Sequence, residues 1–280
     1  MTDVFLPQDI DELWSLLNTK PEAVLYAGGT DLLVKRRSGL IDPPSLVCLE
    51  RIQELKGVRQ DGDWIFVGAL TTHSQLLCHP IIENDYQVLS QAVAVLGSPP
   101  VRNMGTIGGN IVTASPAGDT LAPWYVLDAE IEIRSESTSR RVPISSFILG
   151  PGQVDLRRGE ILAGVWTKRP QGFHIRHYEK VGRRNALACA VVSMAALMNI
   201  SADNAISEIR VAWGSVGPTI MRFREIESFL VGRPLTPRGL GDAILQVQQS
   251  VIPIDDIRAS ANYRREVAGK LLLRLIGYTS

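Results

Sequence analysis

The sequence predicts a globular protein of mixed helices and strands, folded as two domains. Strand-like and helix-like patterns interleave along the chain rather than segregating to its two halves. Its 280 residues exceed what a single core of roughly 50 to 200 residues usually serves. The turn-rich stretch Lys168-Arg169-Pro170-Gln171-Gly172 marks a place to divide it. Composition fits this class: 29 basic residues balance 29 acidic ones, which argues against a protein that holds nucleic acid or anionic membrane through its bulk field. The most apolar stretch, Leu187 to Met198, is interrupted by Ser193 and falls short of the ~20 residues that span a bilayer. Met1 to Ile10 carries Asp3 and Asp9 and has neither a basic nor an apolar leader region, so an intracellular protein is expected.

In order along the chain, Asp9 and Glu12 give a capping signal for a helix whose Ile10, Leu13, Trp14 and Leu17 share one face. Val24 to Ala27 is a short strand that runs into Gly28-Gly29-Thr30-Asp31, a turn leading toward a further helical turn. Leu46 to Leu49 and Trp64 to Val67 are strands, and Thr72 with Gln75 repeats the capping signal. Leu89, Ala92, Val93 and Leu96 stripe another helix, which Gly97-Ser98-Pro99-Pro100 must break. Thr106-Ile107-Gly108-Gly109-Asn110 is a second paired-glycine segment, read as a strand-end loop. Thr120 to Leu127 is a helix, Glu130 to Arg134 alternates as a strand, Gly150-Pro151-Gly152 turns, and Ile161 to Trp166 is again a strand. Beyond the linker come strands near Phe173 to Tyr178, Ala188 to Met198 and Ile206 to Trp213, then helices, the last with Ala268, Leu271, Leu272 and Leu275 on one face.

Several chemistries are excluded by what the sequence lacks. Cys48, Cys78 and Cys189 form no Cys-x-x-Cys pair, so no short motif builds a zinc or iron–sulfur site, and no metal is expected in this chain. His174 and His177 read as ordinary loop or surface residues. There is no nucleophile elbow, P-loop, His-Glu-x-x-His or Gly-x-Gly-x-x-Gly, which removes the common hydrolase, nucleotide triphosphatase, zincin and Rossmann readings.

The two glycine segments carry the positive signal. Backbone without Cβ atoms lets a ligand approach closely, and consecutive N–H groups in a tight turn form a concave anion site to which Thr30, Thr106 or Asn110 can add hydrogen bonds. Two such segments facing one another suit a pyrophosphate. Two plain turns remain the alternative. Asp31 and Asp119 would repel phosphates unless turned elsewhere, and Asp119-Thr120 reads equally as a helix cap. The run Lys180-Val181-Gly182-Arg183-Arg184 is a solvated loop by default, although Lys180 lies at a strand end beside Tyr178 and can neutralise a ligand anion.

Taken together, Ala27 to Leu32, Gly68-Ala69-Leu70-Thr71-Thr72-His73, Thr106 to Ile111 with Ala114 to Asp119, Gly150-Pro151-Gly152, Glu160-Ile161-Leu162, Glu179 to Arg184 and Pro253 to Arg265 make the chain resemble, nearly end to end, the flavin-carrying medium subunit of the molybdenum hydroxylases. That family includes xanthine dehydrogenases, aldehyde oxidoreductases and carbon monoxide dehydrogenases. The resemblance implies an α+β fold: a vanillyl-alcohol-oxidase-type (PCMH-type) FAD-binding domain over residues 1–170, with subdomains of about 1–55 and 56–170 and the flavin between them. A small C-terminal α+β domain over 173–280 would follow. By the same resemblance, Leu25, Tyr26, Ala27, Gly28, Gly29, Thr30, Asp31 and Leu32 wrap the pyrophosphate together with Thr106, Ile107, Gly108, Gly109 and Asn110. Asp119 hydrogen-bonds to the cofactor, Leu162 and Lys180 line it, and Leu96 is an apolar contact. Pro100 departs from the family pattern, in which many relatives carry Gln, and the cysteine-bearing insertion of the hydroxybenzoyl-coenzyme A reductases is absent.

The implied function is electron transfer. Electrons from a molybdopterin-binding large subunit would pass through a [2Fe-2S] small subunit to FAD, and from there to NAD, oxygen or a quinone. A xanthine dehydrogenase-like, cytoplasmic dimer of heterotrimers is the expectation, and no catalytic residue is assigned. A self-sufficient flavin oxidase acting on its own substrate and a flavin-free structural subunit are the rival readings.

Overall fold

The computed structural model describes residues 2–184 and 186–278. They form two compact units that interleave in sequence: Met1–His79, Ser98–Ala114 and Ala129–Arg169 make the first, and Pro80–Gly97, Ser115–Asp128 and Pro170–Ser280 make the second. The turn-rich stretch at Lys168 to Gly172 holds one junction between them, and four more lie upstream, at 79/80, 97/98, 114/115 and 128/129.

In the first unit, β1 (Asp3–Phe5), β2 (Val24–Tyr26) and β3 (Ser45–Cys48) form a parallel sheet with β3 central. The Ile10–Thr19 helix starts where the sequence places it, with Asp9 Oδ1 accepting from the Glu12 N–H at 2.8 Å. Glu12 reaches back one residue further than a capping box does, accepting from the Gln8 N–H at 2.7 Å. Leu13 and Trp14 of this helix are buried against Val47, Leu49, Ile52 and Leu55. Then follow β4 (Val58–Asp61), β5 (Trp64–Gly68), β6 (Glu130–Arg134), β7 (Ser139–Pro143), β8 (Ile148–Gly150), β9 (Gln153–Val154) and β10 (Ile161–Lys168). An antiparallel sheet runs β4-β5-β10-β6-β7, and β8 pairs with β9 around the Gly150-Pro151-Gly152 turn. Thr72 and Gln75 make a complete capping box for the His73–Leu77 helix. Ser98 caps a helix over Pro99–Met104, so the two prolines that break the preceding helix begin the next, where their missing N–H groups cost nothing. Pro100, the departure from the family pattern, is accommodated in that first turn.

The second unit is built on an antiparallel sheet, β11 (Ile175–Val181), β12 (Val192–Ile200) and β13 (Ile206–Gly214), with β12 central. Every residue of β12 from Val192 to Met198 is buried, which requires cover on both faces. One face packs into a core with the Arg224–Leu230, Pro237–Ser250 and Ala261–Lys270 helices through Met194, Met198, Trp213, Leu230, Leu240 and Leu272. The Gln87–Ala94 and Leu121–Val126 helices, both from upstream in sequence, also pack on this sheet. The sheet therefore draws residues 80–97 and 115–128 out of the N-terminal half. Among the described residues no helix is long and apolar enough to cross a membrane.

Candidate functional site

In the first glycine segment the chain leaves β2 and passes through Ala27 to Asp31 into a helix over Leu32–Arg37. A Cβ on Gly28 would lie 1.6 Å from the Met104 carbonyl oxygen, so only glycine allows the loop to lie against the Pro99–Met104 helix. Among the described residues the N–H groups of Gly28, Gly29, Thr30, Asp31 and Leu32 find no protein acceptor. A row of unpartnered amide donors is the arrangement an anion satisfies. Asp31, whose charge would oppose an anion, is engaged by Lys35 Nζ at 2.7 Å and by the Thr113 hydroxyl at 3.3 Å. A cleft of about 490 Å³ brings Ala27 and Gly28 to Thr106 and is lined as well by Arg51, Lys56, Thr72 and Asn103.

The second segment differs from the loop expected. Thr106 is the N-cap of a helix over Ile107–Thr113, and Gly108 and Gly109 stand in its first turn. Its amides are already used. Ile107 N–H donates to Thr71 O at 3.0 Å, Gly108 N–H to Ala69 O at 2.8 Å, Gly109 N–H to Thr106 Oγ1 at 3.1 Å and Asn110 N–H to Thr106 O at 3.0 Å. Only the first segment therefore offers a free donor row. What the second offers is a bare surface: apart from Thr106 Oγ1 at 3.0 Å, a Cβ on Gly109 meets nothing within 4 Å. Leu162 lies on β10 where the pairing with β6 shifts register, 6% exposed; such bulges re-aim side chains.

Leu96, Asp119 and Lys180 belong to the second unit. Lys180 is on β11 rather than in a solvated loop, and its Nζ donates to Asp119 Oδ2 at 2.7 Å and to Val95 O at 3.2 Å. The two side chains are only 9% and 10% exposed. Nor is Asp119 a helix cap. Thr120 occupies the cap position of the Leu121–Val126 helix and gives no side-chain cap, while the Asp119 carboxylate faces Lys180 and Tyr178. Burial pushes the Asp119 carboxyl above its ordinary value, against the opposing pull of the Lys180 ammonium and the Tyr178 hydroxyl. Val95, Tyr178, Lys180, Gly182 and Arg184 line a cleft of about 680 Å³.

The free-amide asymmetry between the two glycine segments, the cations Arg51 and Lys56 in the first cleft, and Tyr178 as an Asp119 partner are not apparent from the sequence pattern alone. For Tyr178 a signal existed. In a strand, positions 178 and 180 share a face.

A ligand with an anionic linkage matches the free amide row of the first unit, and comparison with known proteins narrows the class to a flavin-dependent oxidoreductase subunit. Residues 1–166 match the family described as the FAD binding domain in molybdopterin dehydrogenase, and residues 176–279 match the CO dehydrogenase flavoprotein C-terminal domain. The chain is 31% identical over 265 residues to the putative xanthine dehydrogenase FAD-binding subunit of Escherichia coli (strain K12), covering 94% of this chain and 90% of that one. It is 30% identical over 278 residues to the carbon monoxide dehydrogenase medium chain of Hydrogenophaga pseudoflava, covering 96% and 94%. Among solved structures, quinoline 2-oxidoreductase from Pseudomonas putida 86 superposes with a TM-score of 0.93 at 26% identity, over 99% of this chain and 96% of that one. The chain belongs to the family of FAD-binding medium subunits of the molybdenum hydroxylases, and its cofactor is FAD.

Proposed function

We propose that this chain relays electrons in a xanthine dehydrogenase-like complex, taking them from a molybdopterin-binding large subunit through a [2Fe-2S] small subunit and passing them to NAD or another acceptor. The assembly is a cytoplasmic dimer of heterotrimers, with residues 1–170 as the FAD-binding domain and 173–280 as the C-terminal domain. The observation that carries the reading is the free amide row from Gly28 to Leu32. Bound FAD supplies a redox centre able to exchange electrons with both one-electron and two-electron partners.

This chain's residues supply position and charge. Leu25, Tyr26 and Ala27 deliver the amides of Gly28 to Leu32 to the pyrophosphate. Thr106 to Asn110, with the open surface at Gly109, let it lie close. Leu96 and Leu162 give apolar contact. Lys180, partly neutralised by Asp119, offers a donor whose field favours added negative charge on the ring. The xanthine-like assignment is supported by the xanthine dehydrogenase relative, and relatives acting on carbon monoxide and quinoline are its competitors.

The test is a visible absorption spectrum of the purified chain, followed by heat release and identification of the flavin. Released FAD, reduction by NADH and no turnover of purines by the chain alone support the reading. Turnover by the chain alone transfers the assignment to a self-sufficient oxidase, and a colourless chain that takes up no added FAD overturns it. Lys180→Ala, which leaves a buried carboxyl without its partner, is expected to weaken FAD retention at least tenfold. Lys168→Ala, at a lysine resting over the Trp64 ring, changes it less than twofold; fluorescence titration with FAD compares them.

A further inference from the structure

Asp119 accepts through both carboxylate oxygens, from Lys180 at Oδ2 (2.7 Å) and from the Tyr178 hydroxyl at Oδ1 (3.2 Å). A carboxylate this buried is retained in its charged form only when its oxygens are supplied with donors. Tyr178, 8% exposed, spends its single proton on Asp119, so its own oxygen requires a donor from behind. Ser193, 2% exposed on the neighbouring strand, is the hydroxyl the register places to supply one. Strand register makes the arrangement possible. Lys180 is paired with Ser193 across β11 and β12, Tyr178 is two residues from Lys180 on the same face, and the diagonal from 178 to 193 is within reach of an aromatic side chain. Gln91 fixes the tyrosine backbone in turn, accepting from Tyr178 N–H at 2.7 Å and donating to Arg176 O at 3.1 Å.

The Lys180 ammonium has three protons. Asp119 and Val95 O take two, and the third has no protein acceptor among the described residues, at a side chain that lines the 680 Å³ cleft. How positive that lysine is toward an occupant depends on whether Asp119 stays ionised, which burial opposes and Lys180 and the Tyr178 hydroxyl favour.

We propose that Tyr178 and Ser193 are positioning residues: a hydroxyl relay from β12 through β11 holds the Asp119 carboxylate against Lys180, and thereby sets the net charge that the pair presents to the flavin. This rests on the reading above that the pair contacts FAD. Removing the phenol hydroxyl withdraws a donor that favours the charged carboxylate, Asp119 takes up a proton, and the Lys180 charge is unmasked toward the cofactor.

The test uses the full chain loaded with FAD, with midpoint potential and thermal melting read on the same samples. Tyr178→Phe keeps the ring and its packing. It is expected to raise the affinity for reduced relative to oxidised FAD about tenfold, equivalent to about 30 mV more positive for a two-electron couple. Ser193→Ala is expected to move the ratio in the same direction by about threefold. In an Asp119→Asn background, Tyr178→Phe adds no further shift, because the tyrosine acts through that carboxylate. A changed melting temperature with an unmoved potential in Tyr178→Phe makes the residue merely structural and overturns the proposal. If Tyr178→Phe does not fold, an unmoved potential in Ser193→Ala overturns it instead. Should Asp119→Asn retain FAD and also leave the potential unmoved, the placement of the pair at the flavin fails; should Asp119→Asn alone move it, that placement stands and only the relay falls.

Discussion

His73 is 3% exposed, and its Nδ1 has no hydrogen-bond partner. Burial, reinforced by the Arg102 charge, lowers its pKa to about 4, so it is neutral in the folded chain near neutral pH. The unfolded chain gains a proton there near pH 6.5 while the native chain does not. Stability is therefore fully present above that value and is lost as pH falls from 6.5 toward 4, by up to about 3 kcal/mol. His73→Gln is expected to flatten this acid limb, and urea melts of both chains at pH 7.5 and pH 5 compare them. Equal pH dependence would rule the imidazole out as its source. The glycines separate packing from binding in the same way. Gly28→Ala drives a methyl into the Met104 carbonyl and should cost roughly 1–3 kcal/mol or more in apo-chain melts. Gly109→Val is expected to leave a folded chain of reduced FAD occupancy, as measured by flavin absorbance per mole of protein.

For single elements, the Ile107–Thr113 helix depends on Thr106, whose hydroxyl accepts from Gly109 N–H and whose carbonyl accepts from Asn110 N–H. Thr106→Ala is expected to destabilise the chain by about 1 kcal/mol, and Thr106→Ser to restore most of that in the same urea titration. How legible each element is follows from the range of what forms it. The caps at Asp9 and Thr72 were readable because they act over three residues. From sequence, Gly108-Gly109 reads as a strand-end turn because paired glycines punctuate turns. What admits it to a helix is tertiary: a Cβ on Gly108 would lie 2.7 Å from the Ala69 Cβ. Asp119 looked like a cap because the partners that claim it are 59 and 61 positions away. Lys180 reads as solvated because Glu179, Arg183 and Arg184 beside it mask the end of a strand that has partners on both faces. Motif resemblance pointed at both residues, whereas local pattern could not supply their geometry.

Across the whole chain, the cover that 80–97 and 115–128 give the C-terminal sheet makes any single cut costly. A fragment of residues 1–170 keeps the Gln87–Ala94 and Leu121–Val126 helices but loses the strands they pack against, leaving Leu89, Val93, Trp124 and their neighbours without that cover. Such a fragment is expected to bind a hydrophobic dye and scatter light at concentrations where the full chain does neither. A monodisperse fragment with native near-UV circular dichroism would show that these helices do not need the sheet.

The same interleaving gives the protein a timetable during synthesis. The Gln87–Ala94 helix is made roughly a hundred residues before β12 is complete, and at about 5–20 residues per second its apolar face waits some 5–20 s for its strands. Over that interval the nascent chain presents an unfinished half of one core while the other is still being extruded. Slow codons or a trigger-type chaperone acting between residues 128 and 200 would thus influence yield more than the same intervention near either end.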